Sequence, residues 1–94
     1  MPLKSIHFSV HGVVQGVGFR YFVKGVARAE GLVGWVKNDP AGHVIGVAQG
    51  EEAAIEKLKK QLAAGPLHAI VTKVEITGEE TIGRLQFSSF DIAH

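Results

Sequence analysis

The sequence contains no cysteine, which excludes disulfides, thiolate catalysis and Cys-ligated metal sites together. It has no apolar run approaching the roughly 20 residues of a membrane-spanning helix. Its first residues alternate in polarity instead of forming the unbroken apolar segment of a secretory signal. Negative charge is missing from the first third: no Asp or Glu precedes Glu30, whereas Lys4, Arg20, Lys24 and Arg28 all lie there. The whole chain nevertheless carries a formal charge of only +1 at pH 7. That is too little for bulk attraction to nucleic acid or to an anionic membrane. Positive potential is expected at one end of the fold, and a soluble cytoplasmic monomer is the expectation for the chain.

What is present suits a globular core. With 94 residues, 46% apolar and 20% charged, the chain is expected to form one compact domain over residues 1–94. Ile6, Phe8 and Val10 alternate with His7, Ser9 and His11, the period of a strand with one buried face. Phe19, Phe22, Val23, Val26 and Ala27 recur at helical spacing, and that helix ends near Gly31. Leu32 to Val36 and Val44 to Ala48 read as strands joined by a turn over Asn38–Gly42 containing Pro40. Ala54, Ile55, Leu58 and Leu62 mark a second helix, stopped by Gly65 and Pro66. Ile70, Thr72, Val74 and Ile76 alternate as a fourth strand, with Gly78 to Arg84 read as a polar loop. Leu85 and Phe87 have one parity and Phe90 and Ile92 the other, so a last strand there requires a bulge or an early end.

The order βαββαβ is the split βαβ sandwich of the ferredoxin-like α+β class, with two helices on one face of a mainly antiparallel sheet and a short extra C-terminal strand. This order says nothing of function.

Chemistry is concentrated after the first strand. The run Gly12 to Phe19 holds Gly16 and Gly18, and Gln15 is its only polar side chain, so backbone amides are the groups it can offer. Glycines allow such amides to converge on one point, an anion nest, and the loop feeds directly into a helix whose first N–H groups are unpaired. Arg20 in the first helical turn opposes the macrodipole, at a cost of roughly 0.3–1 kcal/mol, unless a bound anion reverses the sign. A simple turn followed by a solvated Arg accounts equally well for these features alone. Neither nucleotide motif fits, because a dinucleotide fingerprint needs glycine where Tyr21 stands and a phosphate-binding Walker loop needs a Lys-Ser/Thr pair.

Gly12-Val-Val-Gln15-Gly16-Val17-Gly18-Phe19-Arg20 resembles the signature of the acylphosphatase family, and Gly31 to Asn38 (GLVGWVKN) resembles its second block. The resemblance continues through Gly42-His43-Val44, Gln49-Gly50, Gly65-Pro66 and Val74-Glu75, covering nearly the whole chain. It implies hydrolysis of an acyl phosphate without cofactor or metal. Gln15, Gly16, Val17, Gly18, Phe19 and Arg20 would cradle the phosphoryl group, Arg20 would be the catalytic arginine, and Asn38 would position water. Inorganic phosphate or sulfate would compete. One departure is Ala41, where the family commonly has an acidic residue before the glycine of this turn.

The chemistry suits such a site. A carboxylate leaves without protonation, since its parent acid has a pKa near 4, and phosphoryl transfer needs positioning and charge stabilisation above all. Asn38 before Asp39-Pro40 would otherwise read as a turn residue. His7, His11, His43, His68 and His94 fall on different elements and form no ligand-spaced set, and His11 is expected on the exposed strand face. Lys24 and Arg28 read as solvated helix charges, and Trp35 as sheet packing. The competing classes are a non-catalytic anion-binding domain and a nucleic-acid module of the same fold, which would need more strand aromatics than Trp35.

Overall fold

A computed structural model describes residues 2–93. Its elements are β1 (Leu3–Val13), α1 (Phe19–Ala29), β2 (Val33–Asn38), β3 (Val44–Glu51), α2 (Glu52–Ala64), β4 (Ile70–Ile82) and β5 (Phe90–Ile92). The five strands form one sheet in the order β4-β1-β3-β2-β5. All neighbours are antiparallel except β2 and β5. This is the expected ferredoxin-like α+β arrangement with its added C-terminal strand.

One apolar core lies between sheet and helices. Ile6, Phe8 and Val10 of β1, Val36 of β2 and Val44 and Ala48 of β3 meet Phe19, Val23 and Ala27 of α1 and Ala54, Ile55, Leu58 and Leu62 of α2. Gly46 belongs to this packing: a Cβ there would lie 2.5 Å from the Phe8 ring, so the absent side chain leaves space for the aromatic one. The end of α1 follows from local sequence. Gly31 takes φ 72°, its N–H donates to Arg28 (3.1 Å), and the Leu32 N–H donates to Ala27 (2.8 Å). This double closure, with Leu32 buried beneath it, is the Schellman arrangement that a C-terminal glycine permits.

Two expectations are corrected. The segment Gly78–Arg84, read as a polar loop, is strand as far as Ile82, because β1 is long enough to pair with it down to Leu3↔Ile82. Polar residues are tolerated there because β4 is an edge strand, and charged side chains also protect such an edge from further pairing. Glu79 is held by Lys59 (2.8 Å) and Lys4 (2.9 Å), which tie β4 to α2 and β1. The change of parity at the C-terminus is resolved by a late start and not by the expected bulge or early end, since Leu85 and Phe87 lie outside the strand and only Phe90–Ile92 form it. Residues 83–89 carry the chain from one edge of the sheet to the other. Arg28 is exposed, as expected of a helix surface charge, and also anchors that last strand by donating to the Phe90 carbonyl (3.0 Å) and to Asp91 (3.2 Å).

The crossing segment is fixed by a buried amide. Gln49 is 1% exposed; its Nε2 donates to Ser5 Oγ (3.1 Å) and Gln86 Oε1 (2.8 Å), and its Oε1 accepts from the Gln86 backbone (2.8 Å). Replacing Gln49 with Leu keeps the volume and removes all three bonds. Because the buried Ser5 hydroxyl would lose its partner and the exposed Gln86 its tether, Gln49→Leu is expected to lower stability by about 1–3 kcal/mol. The urea midpoint should fall with the slope unchanged.

The Glu79 cluster gives a pH dependence. Hydrogen bonds from Lys59 and then Lys4 hold its carboxyl below the ordinary value of 4.5. A depressed folded-state pKa contributes stability above the unfolded value and loses it as pH falls through the folded one. The melting temperature of the wild type should therefore drop more steeply on acidification below about pH 4.5 than that of Glu79→Gln.

Candidate active site

Strand register places the connections that matter at one end of the sheet. Val13 pairs with Ile70, and Val10 and Asn38 both pair with Val44. The loop Val14–Gly18, the turn Asp39–His43 and the turn preceding β4 therefore share that end. Within the loop, Val14 is buried and pins the backbone to the core. Gly16 and Gly18 have φ of 75° and 76°, while Val17 between them is not in the positive region. Alternation of sign turns successive N–H groups toward one side, the geometry of an anion nest. A Cβ at Gly16 or Gly18 would meet nothing within 4 Å, so dihedral angle alone makes glycine preferred there.

α1 begins without a side-chain cap and without an acidic residue in its first turn. The first helical bond runs from Phe22 N–H to Gly18 C=O (3.0 Å), which leaves the amides of residues 19–21 without a partner inside the helix. Arg20 is half-buried beside them and forms no ion pair among the described residues. A cation and a set of free N–H groups thus stand together at the positive end of a helix dipole, the electrostatics of an anion site.

Gln15 has a definite structural task. Its Nε2 donates to the carbonyls of Asp39 (2.9 Å) and His43 (3.0 Å), engaging both amide hydrogens and tying the glycine loop to the β2–β3 turn. The backbone N–H is then what this residue has left for an anion. Asp39 holds the turn from within, its Oδ1 accepting from Ala41 N–H (3.0 Å) and His43 N–H (2.9 Å). Ala41 itself is exposed, so the residue that departs from the family pattern does not carry the turn. Asp39 was visible in the sequence only as a turn former.

Asn38 ends β2 at this same place, with an unusual feature. Its Oδ1 is buried and has no hydrogen-bond partner. An unsatisfied buried acceptor costs roughly 1–3 kcal/mol, and such atoms in native proteins generally face a water or a ligand.

One juxtaposition escaped the sequence. His11 and His43 stack with ring centroids 3.7 Å apart, although they lie 32 positions apart in the chain. His11 is also hydrogen-bonded to Ser9 Oγ (3.0 Å) and lies 3.5 Å from Glu75. It is therefore partly covered, not on an open strand face as expected, because the β2–β3 turn folds back over the end of β1. The signal available in sequence was only that His11 falls near the end of the first strand and His43 just before the third, two strands that become neighbours.

A sequence model described as Acylphosphatase matches residues 6–92. Acylphosphatase-2 of Rattus norvegicus is 40% identical over 94 residues, covering 99% of this chain and 97% of that protein. The acylphosphatase of Moorella thermoacetica is 45% identical over 87 residues, covering 93% of this chain and 94% of its own length. The chain belongs to the acylphosphatase family. The fold agrees, since the structure of an acylphosphatase from Coxiella burnetii superposes with a TM-score of 0.86 at 39% identity, covering 98% of this chain and 94% of that one. Coverage and identity of this order support an acylphosphatase enzyme over a non-catalytic module.

The acylphosphatase loop makes one sharp prediction. Gly18→Ala places an L-side chain at φ 76° without a clash, so stability should fall by about 1–2 kcal/mol from backbone strain alone. Gly18→Asn, which tolerates this region better, should recover part of the loss. Thermal melts of the three proteins measure it; equal losses in Ala and Asn would point to a steric cause.

Proposed function

We propose that Arg20, Asn38 and the backbone amides of Gln15, Gly16, Val17, Gly18 and Phe19 carry the acylphosphatase reaction. The observation that supports this most directly is the buried, unpartnered Oδ1 of Asn38, at the end of the sheet where the glycine nest and Arg20 also lie. The substrate's phosphoryl group sits in the nest, with the Arg20 guanidinium on its oxygens as a planar two-pronged donor. Asn38 accepts a hydrogen bond from the attacking water and holds it in line with the carboxylate. The water oxygen bonds to phosphorus, the phosphorus–oxygen bond to the acyl group breaks, and the carboxylate departs with its electron pair. The water's proton passes to a phosphoryl oxygen.

No general acid is required, because the leaving carboxylate is stable as the anion at neutral pH. Charge spread over the three equatorial oxygens is met by the amides and Arg20, so the reaction proceeds without a cofactor or metal. Inorganic phosphate and sulfate occupy the same nest and compete. Among the described residues no helix is long and apolar enough to cross a membrane, and the proposal has the enzyme acting as a cytoplasmic monomer on a small diffusible acyl phosphate.

Two substitutions separate the assigned roles. Arg20→Gln should abolish most turnover of benzoyl phosphate and weaken inhibition by phosphate. It should also raise the stability of the ligand-free protein by a few tenths of a kcal/mol, since it removes a cation from a helix N-terminus. Asn38→Ala should lower kcat by roughly a hundredfold or more with little change in the phosphate inhibition constant. Steady-state kinetics with phosphate as inhibitor measure both; near-normal turnover by a folded Asn38→Ala would return Asn38 to the rank of a turn residue.

A further inference from the structure

His11 and His43 are brought face to face by the ends of two ladders. The last pair between β1 and β3 is Val10↔Val44, and one step further the opposed positions are His11 and His43. The last pair between β2 and β3 is Asn38↔Val44, and one step further Asp39 stands opposite His43, its N–H donating to the His43 carbonyl (2.9 Å). His43 is therefore the residue at which β1 and the β2–β3 turn meet. Its backbone is the hub of that turn: the same carbonyl accepts from Gln15 Nε2 (3.0 Å), and its N–H donates to Asp39 Oδ1 (2.9 Å). Among the described residues its hydrogen bonds are all made by the backbone. Its ring contributes the stack on His11, with centroids 3.7 Å apart and planes inclined by 27°.

The platform beneath that ring is firmly held. His11 belongs to the strand paired on both sides, bonds to Ser9 Oγ (3.0 Å) and lies 3.5 Å from Glu75 of β4. Side chains alternate along a strand. His11 follows the buried Val10 and so lies on the sheet face away from the helices, whereas Asn38, two residues after the buried Val36, lies on the face toward them. The stack therefore acts on the site through the backbone of the turn and not by contact with the reacting groups. Gln15 ties the turn to the nest by two bonds that converge on one Nε2 atom, which sets a distance but leaves the turn able to pivot about that atom. The Asp39 side-chain bonds are internal to the turn and do not oppose such a pivot. The stacked rings fasten the turn to β1 and do oppose it.

We propose that His43, seated on His11, is a positioning residue for the acylphosphatase reaction: the stack fixes the turn that follows Asn38, and with it the angle of Asn38 to the phosphate nest. The proposal rests on the assignment of Asn38 to the water and of the nest to the phosphoryl group. The nest is made by consecutive residues and pinned by the buried Val14, so loss of the stack leaves phosphate binding intact. What it costs is alignment of the water, which is read in kcat.

The test compares His43→Ala, His11→Ala, the double variant and His43→Phe with the wild type in hydrolysis of benzoyl phosphate, with phosphate as inhibitor. Each alanine variant should lower kcat by roughly fivefold to twentyfold and leave the phosphate inhibition constant within about twofold of the wild-type value. The double variant should lose no more than either single one, because the same interaction is removed in all three. His43→Phe keeps a ring on the platform and should recover most of kcat. Gln49→Leu, which lowers stability at the far end of the sheet, should keep the wild-type kcat while folded, and this separates alignment from stability. A folded His43→Ala with kcat within about twofold of the wild type, losses that multiply in the double variant, a His43→Phe no better than His43→Ala, or an equal fall in Gln49→Leu would overturn the positioning role. Absence of turnover in the wild type would instead overturn the reaction on which that role rests.

Discussion

β1 is paired along its length on both sides, with β3 from Leu3↔Glu51 to Val10↔Val44 and with β4 from Leu3↔Ile82 to Val13↔Ile70. The site depends on this register. Because β2 pairs in turn with β3, from Val33↔Gln49 to Asn38↔Val44, the end of β1, the end of β2 and the start of β4 fall at one level. A shift of one residue in either ladder would turn the core face of a strand outward, and would also separate the glycine loop from Asn38. The buried faces of Ile6, Phe8 and Val10 therefore fix the position of groups that make no apolar contact themselves.

Costs tolerated locally are concentrated at that end. A cation opposes a helix dipole at Arg20, α1 starts without a side-chain cap, and Asn38 Oδ1 is buried without a partner. Each is unfavourable by about a kilocalorie per mole or less, apart from the orphaned acceptor at roughly 1–3. A phosphoryl group with an attacking water would satisfy the charge, the amides and the acceptor together. Rigidity for this purpose comes from the two Gln15 hydrogen bonds to the β2–β3 turn and from Asp39 within it, which couple two connections that the chain order leaves independent. Local departures from the most stable choice, supported by an over-determined frame, are the pattern expected of a functional site.

The opposite end is built for stability. There Gln49 is fully satisfied by Ser5 and Gln86, the crossing segment is closed down, and Arg28 fastens β5 to α1. Lys4, Lys59 and Glu79 join three elements through charges that lie near the surface, where ion pairs add little individually and more as a connected group.

The sequence by itself determined the elements and the type of chemistry. Alternation in β1, helical spacing from Phe19 to Ala27, and the glycine stops at Gly31 and Gly65 are local signals, because they arise from backbone geometry and one-sided burial within a few residues. The glycine pair with Arg20 was legible for the same reason: a nest and a helix terminus are made by consecutive residues. Only the tertiary structure decided the rest. The extension of β4 through Gly78–Ile82, the stacking of His11 on His43, the two hydrogen bonds from Gln15 to the turn, the burial that strips Asn38 Oδ1 of partners and the close approach of Gly65 to the Phe19 ring all join residues far apart in the chain. Their energies come from register and packing between elements, and no local pattern of residues encodes that geometry.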